Sequence, residues 1–139
     1  MAANTSPIFT LLPDIQWAIS ATTANTTKDL SSGTIFQVFS AGTNGGYVQR
    51  IRFRPLGQNL AASVGRVFIN NGLTTTTAAN NVLWDEISLP TTSTAEASAQ
   101  STYELPLNFA LPPNYRLFVT LGTAPNAAGW SITVIGGEY

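Results

Sequence analysis

Apolar and polar residues alternate with a period of two in short segments along the chain, and Gly, Asn and Pro residues separate these segments. Because successive side chains of a β-strand point to opposite faces of the sheet, this period predicts half-buried strands. In the clearest segment the alternation predicts two opposite faces, one formed by Tyr47, Gln49, Ile51 and Phe53 and the other by Val48, Arg50, Arg52 and Arg54. A Thr-Asn-Gly-Gly turn at 43–46 precedes this strand, and Pro55 ends it.

Eight such segments follow one another at the spacing expected of an antiparallel sandwich. They cover residues 16–22, 34–41, 47–54, 64–70, 82–89, 103–109, 115–121 and 130–135. No segment longer than a turn or two carries helical periodicity, and the sequence contains no internal repeat. We therefore predict an all-β fold, an antiparallel β-sandwich that forms an eight-stranded jelly roll.

The beginning of the chain differs from the rest. Two prolines, which donate no backbone hydrogen bond, flank the apolar residues Ile8, Phe9, Leu11 and Leu12. We predict an extended N-terminal arm over residues 1–14 and a single β-sandwich domain over residues 15–139, a length sufficient for one core without disulfides. The apolar side chains of the arm need a dry environment, so the arm packs either along its own domain or on a neighbouring chain.

Only 9% of the 139 residues are charged, the net charge is −1, and the chain contains neither Cys nor His. Within one chain this composition excludes thiol nucleophiles, imidazole bases, Ser-His-Asp triads and the usual zinc sites. Six basic residues do not provide the broad cationic surface of a nucleic-acid-binding protein. No apolar stretch has the length of a signal peptide or a membrane span. We expect a protein that is not an enzyme, holds no cofactor or metal, is not secreted, and binds neither nucleic acid nor membrane.

The few charged residues are distributed unevenly. Asp85 and Glu86 are adjacent and face opposite sides of a predicted strand, so they cannot share a proton, and we expect pairing with an arginine across the sheet. Arg50, Arg52 and Arg54, here called the arginine row, project from one face about 7 Å apart. Two interpretations of this row stay open. It is a solvated face matched by carboxylates on the adjacent strand, or it is a basic ridge that docks on an acidic patch of another subunit.

The sequence carries three tryptophans, whose rings could stack on sugars if they were exposed. Trp130 is in register with Ile132 and is expected in the core. Trp84 lies on the face opposite Leu83 and is the better candidate for an exposed, partner-binding ring, because interfaces are enriched in Trp. A second core layer around Trp84 is the alternative, and the sequence gives no support for a glycan site.

Two segments, GGYVQRIRFRPLGQNLAASVGRVFINNG and ELPLNFALPPNYRLFVTLGT, resemble small jelly-roll proteins that decorate, or cement, the capsids of tailed bacteriophages. The resemblance covers residues 45–139 and consists of strand and turn patterns, so it transfers no functional residue. It implies a structural virion protein, made in the host cytoplasm, that binds the capsid exterior and stabilises the shell. The implied partners are the major capsid protein and further copies of the chain in a trimer.

A receptor- or glycan-binding β-sandwich module of a phage tail fibre or spike is the alternative function. For the decoration function we hypothesise that the arm reaches a neighbouring chain and that the arginine row meets an acidic capsid surface. The candidate partner-binding residues are Ile8, Phe9, Leu11, Leu12, Arg50, Arg52, Arg54 and Trp84.

Overall fold

A computed structural model describes residues 10–93, 96–126 and 128–139 of the chain. It contains eight strands, β1 (Leu12–Ala21), β2 (Phe36–Ser40), β3 (Gly46–Pro55), β4 (Ser63–Asn70), β5 (Asn81–Leu89), β6 (Tyr103–Leu111), β7 (Arg116–Leu121) and β8 (Trp130–Glu138). A short 3-10 helix, Ala78–Asn80, lies in the β4–β5 connection. Each of the eight predicted segments therefore forms a strand.

The strands form two antiparallel sheets with the orders β1-β8-β3-β6, the first sheet, and β2-β7-β4-β5, the second sheet. Strands β4 and β5 are consecutive in the chain and adjacent in a sheet, whereas every other connection crosses from one sheet to the other. This order is typical of a jelly roll. The predicted all-β sandwich and its eight-stranded jelly-roll topology are confirmed.

The two sheets enclose one apolar core, and the alternation of β8 shows how it is built. Trp130, Ile132 and Val134 occupy alternate positions of this strand, and all three side chains are fully buried. The residues between them face outward, as the period of a strand requires. The prediction that Trp130 belongs to the core is confirmed.

A β-bulge changes the phase of the alternation in β3. Val48 and Arg50 pair with the consecutive residues Gly136 and Ile135 of β8, so Gln49 is an extra residue on β3. Because one extra residue exchanges the two faces, Val48 points into the core and is fully buried. The prediction that Val48 shares a face with the arginines, and that Tyr47 and Gln49 share a face with Ile51 and Phe53, was therefore wrong.

The outer face of the second sheet is covered by the connection between β1 and β2. Leu30 of this connection packs on Phe68 of β4 and Phe118 of β7, which form a second, smaller apolar cluster. The side-chain amide of Asn25 donates to the carbonyl oxygens of Ser32 and Thr34 over 2.8 and 3.1 Å and holds the connection in place. One outer face of the sandwich is thereby closed.

Candidate functional site

Strand β1, at the edge of the first sheet, and Leu11 directly before it present apolar side chains to solvent. Leu11, Ile15, Trp17 and Ile19 are between 54% and 80% exposed, and Pro13 is exposed between them. These five residues, here called the apolar stripe, occupy alternate positions and so share one face. The intervening residues Leu12, Asp14, Gln16 and Ala18 point the other way, and of these Leu12 is also exposed. Gln16 accepts from the backbone N–H of Ser40 and donates to its carbonyl oxygen. The strand therefore turns its apolar side outward.

The arginine row lies on the outer face of the same sheet. Glu104 of β6 pairs with Arg52 in the register, and its Oε1 lies 2.6 Å from Nη2 of Arg52. Its other oxygen lies 3.7 Å from Nη1 of Arg50. Arg54 donates to the hydroxyl of Thr102 over 3.1 Å and forms no ion pair with a described residue. One carboxylate on the adjacent strand thus matches part of the row, and the three arginines and Glu104 sum to a charge of +2. Glu96 lines a cavity together with Arg54 without forming an ion pair with it.

The register brings the apolar stripe and the arginine row side by side. Trp17 pairs with Thr133 of β8, and Thr133 pairs with Arg52 of β3. One strand therefore separates the two columns, which places them about 10 Å apart. Among the described residues no segment covers this face, in contrast to the outer face of the second sheet. We take this surface, here called the open face, as the candidate functional site.

Trp84 belongs to a different surface. Phe68 and Val67 of β4 pair with Leu83 and Asp85 of β5, so Trp84 is the extra residue of a β-bulge. Its side chain is 52% exposed, and its ring meets that of Phe109 edge to face at a centroid distance of 5.1 Å. Since β5 and β6 are edge strands of opposite sheets, this contact bridges one side of the sandwich. The structure does not bring Trp84 together with the arginine row.

The predicted arm is described in part. Ile8 and Phe9 lie outside the described residues. Leu11 and Leu12 are exposed, and the N–H of Leu11 donates to the carbonyl oxygen of Glu138 over 2.8 Å. Strand β1 begins at Leu12, so residues 12–14 pair with β8. A partner-binding role for each of these residues, for the arginine row and for Trp84 stays a prediction.

Sequence reasoning did not identify Ile15, Trp17 and Ile19 as candidate site residues. The signal was present, because odd positions from 11 to 19 are all apolar while Asp14 and Gln16 lie between them. Alternation alone cannot say which face of a strand is inside. In β1 the polar face points inward, because β1 lies at the sheet edge and Gln16 binds the backbone of β2 there. The apolar face therefore points outward.

Three further carboxylates contact residues of their own chain. Glu86 forms an ion pair with Arg66 across the second sheet at 2.7 Å, which confirms the predicted cross-strand pairing for Glu86. Asp85 accepts from the backbone N–H of Glu86. The hydroxyl and the backbone N–H of Ser31 donate to Asp29 and hold the pKa of this carboxyl below its usual range. The described residues contain no group of three or more acidic side chains that could hold a metal ion.

Comparisons with known proteins identify no family for this chain. No protein-family model matches the chain, and no curated protein sequence matches it significantly. Among solved structures it is similar to a mutant VP2 protein of infectious bursal disease virus in derived T=1 particles, with 15% identity and a TM-score of 0.33. The similarity covers 97% of this chain and 36% of that one. A similarity this weak supports no function, and the fold rests on the strand order above. In the described part, no helix is long and apolar enough to cross a membrane.

Proposed function

We propose that this chain is a structural virion protein, a capsid decoration protein that binds the outside of a shell through its open face. The observation that carries the proposal is the pairing of a long exposed apolar stripe with an arginine row on one uncovered sheet face. Exposed apolar patches on soluble proteins mark interaction sites. The resemblance of residues 45–139 to decoration proteins supplies the partner class.

The apolar stripe can supply the affinity of such a contact. Trp17 is 64% exposed, and an aromatic side chain of this size buries about 200 Å². Covering the exposed part removes about 130 Å² from water and contributes roughly 3 kcal/mol before the costs of association. Ile15 and Ile19 add smaller amounts of the same kind.

The arginine row can supply orientation. Guanidinium groups bind carboxylates in a fixed geometry, and the arginine row with Glu104, which sum to a charge of +2, attracts an acidic patch over about one Debye length. The partner surface that fits the open face therefore carries apolar side chains with carboxylates about 10 Å to one side. Binding to an assembled shell in preference to free capsid subunits adds the binding free energy to shell stability, and many bound copies multiply the effect.

The test is co-sedimentation of the purified chain with shells assembled from the major capsid protein that the same genome encodes. The variant Arg52→Glu, Arg54→Glu should bind less, and its binding should rise with salt instead of falling, because the summed charge of the arginine row and Glu104 changes from +2 to −2. Arg66→Gln on the outer face of the second sheet is the matched control and should bind like wild type. If the double variant bound like wild type, with the same dependence of binding on salt, the arginine row would not be part of the contact.

The arm is tested separately. Deleting residues 1–9 leaves β1 intact, whereas a deletion through Pro13 would also remove paired residues of that strand. Lower shell occupancy after the shorter deletion would support a role of Ile8 and Phe9 in anchoring. Failure of every form to bind the shell, together with binding to a glycan array, would favour the tail-fibre alternative instead.

A further inference from the structure

The chain contains two Asn-Gly dipeptides, Asn44–Gly45 and Asn71–Gly72, and both lie in connections between strands. The backbone nitrogen of the residue that follows an asparagine can attack the side-chain amide of that asparagine. Glycine hinders this attack least, because it has no Cβ. The two dipeptides are chemically alike, so a large difference in their reactivity has to come from the fold, and the fold holds them in different ways.

The reacting atoms of Asn71–Gly72 are fixed by hydrogen bonds. The amide oxygen of Asn71 accepts from the backbone N–H of Leu73 over 3.1 Å, and its amide nitrogen donates to Oδ1 of Asn80 over 3.3 Å. The N–H of Gly72 donates to Oδ1 of Asn70 over 2.9 Å, and Asn70 is fully buried. All three hydrogen bonds must break before the nitrogen of Gly72 can reach Cγ of Asn71.

The side chain of Asn44 is much less restrained. It is exposed, and the hydrogen bond that it donates to the backbone oxygen of Tyr139 is long, at 3.4 Å. Its amide oxygen accepts no hydrogen bond from a described residue. The N–H of Gly45 donates to the carbonyl oxygen of Gly42 over 3.0 Å and closes the turn. One long and one ordinary hydrogen bond therefore oppose the attack here, against three in the other dipeptide.

The fold also requires the glycine that follows Asn44. Gly45 has a φ of 90°, and a Cβ at this position would lie 2.7 Å from the carbonyl oxygen of Leu111. A residue with a side chain would be strained and would overlap the backbone. The turn thus keeps the least hindered neighbour next to an exposed asparagine.

We propose that Asn44 is a site of spontaneous deamidation and that the fold protects Asn71 from the same reaction. This inference goes beyond the proposed function and does not depend on it. The nitrogen of Gly45 gives up its proton and bonds to Cγ of Asn44, and the bond from Cγ to Nδ2 breaks, so that ammonia leaves and a cyclic imide remains. Water then adds to one of the two imide carbonyls and breaks the bond from that carbonyl to nitrogen, which gives an aspartate or an isoaspartate at position 44.

An isoaspartate adds one methylene group to the backbone of this turn. Gly45 is buried, and its carbonyl oxygen accepts from the N–H of Tyr139 over 3.3 Å. The next residue, Gly46, pairs with Glu138 of β8, which also pairs with Leu12 at the start of β1. A longer backbone at position 44 displaces these paired residues, so we expect the isoaspartate form to unfold at a lower urea concentration than the unmodified chain.

Incubation of the full chain at mildly alkaline pH, followed by tryptic peptide mapping with tandem mass spectrometry, tests the proposal. Arg50 and Arg66 lie between the two dipeptides, so trypsin places them on different peptides. Each deamidation replaces an amide NH₂ by OH and changes the peptide mass accordingly. In the folded protein, position 44 should react about tenfold or more faster than position 71, because fewer hydrogen bonds have to break there. In concentrated urea the two rates should become similar.

Two kinds of result would overturn the proposal. One is the absence of reaction at position 44 in the folded protein, or a rate there that does not exceed the rate at position 71. The other is a difference that persists in urea, since it would then come from the flanking residues and not from the fold.

Asn44→Asp is the matched control for the effect on stability, because it adds the charge without the extra methylene. The isoaspartate form, isolated by chromatography, should unfold at a lower urea concentration than this variant. If the two were equally stable, the turn would tolerate the longer backbone and the expected loss would be wrong. Shell binding is measured separately, so this inference and the proposed function can fail independently.

Discussion

Replacing Glu104 by Gln tests the electrostatics of the open face directly. In the wild type, one carboxylate lies 2.6 Å from Nη2 of Arg52 and 3.7 Å from Nη1 of Arg50. The substitution keeps the size of the side chain and removes its charge, so three arginines then face one another without a carboxylate. We expect Glu104→Gln to lower the free energy of unfolding at low salt, and the loss to vanish at high salt.

The expected loss of unfolding free energy follows from the exposure of the charged side chains and the distances between them. The three side chains are 34% to 42% exposed, so the interactions act largely in water, where a pair at about 4 Å is worth roughly 1 kcal/mol. Exposed pairs measure about 0.2–1 kcal/mol each. Neighbouring arginines about 7 Å apart repel by roughly 0.6 kcal/mol before screening. We therefore expect a loss of about 1 kcal/mol in 10 mM salt, or about 4 °C in Tm for a domain of this size.

Urea unfolding at about 0.01, 0.15 and 1 M NaCl measures the effect, because the Debye length falls from about 30 to 3 Å over this range. The variant should gain stability relative to wild type as salt rises. Glu86→Gln is the matched control, since it also breaks a 2.7 Å pair with an arginine but leaves no row of like charges behind. If Glu104→Gln had the same free energy of unfolding as wild type at low salt, the carboxylate would not stabilise the arginine row. A loss that stayed constant up to about 1 M NaCl would show that it is not electrostatic.

Three further predictions concern single residues. Gly136→Ala should destabilise the fold by about 1–3 kcal/mol or more in urea unfolding, because a Cβ there would overlap a backbone carbonyl oxygen of β3. Trp17→Phe should remove much of the tryptophan fluorescence that iodide quenches, whereas the buried Trp130 should contribute only unquenched emission. Ser31→Ala should raise the carboxyl pKa of Asp29 towards its usual range in an NMR titration. Because that pKa is lowered in the folded state, its contribution to stability is present at neutral pH and is lost as the pH falls through the folded pKa.

Most strands could be predicted because a strand that buries one face has an apolar residue at every second position. β7 differs, since residues 117–121 are buried on both faces, and there the short apolar run between turn residues was the signal. β8 is the clearest case, since Trp130, Ile132 and Val134 form an unbroken buried column. Turn residues such as those at 43–46 marked where strands separate. The alternation of apolar residues and the turn residues between strands were therefore sufficient to predict the fold class.

Two features could not be read from alternation. The bulge at Gln49 depends on pairing with β8, a strand more than 80 positions later in the chain, so the exchange of faces at Val48 has no local signal. The outward direction of Trp17 depends on β1 lying at a sheet edge, where Gln16 can bind the backbone of β2. Both features follow from long-range neighbours, and the second one decides the candidate site.

The two columns of the open face should control different steps of binding to a shell. The apolar stripe contributes only after water is expelled, which happens once the complex is docked, so Ile15→Ser should mainly raise the dissociation rate. The arginine row acts at longer range, so Arg54→Gln should mainly lower the association rate, and more at low salt than at high salt. Surface plasmon resonance on immobilised shells separates the two rates, with Arg66→Gln on the second sheet as the control. If both variants changed the same rate constant with the same salt dependence, the apolar stripe and the arginine row would not act at different steps. The proposal that the stripe supplies affinity and the row supplies orientation would then be wrong.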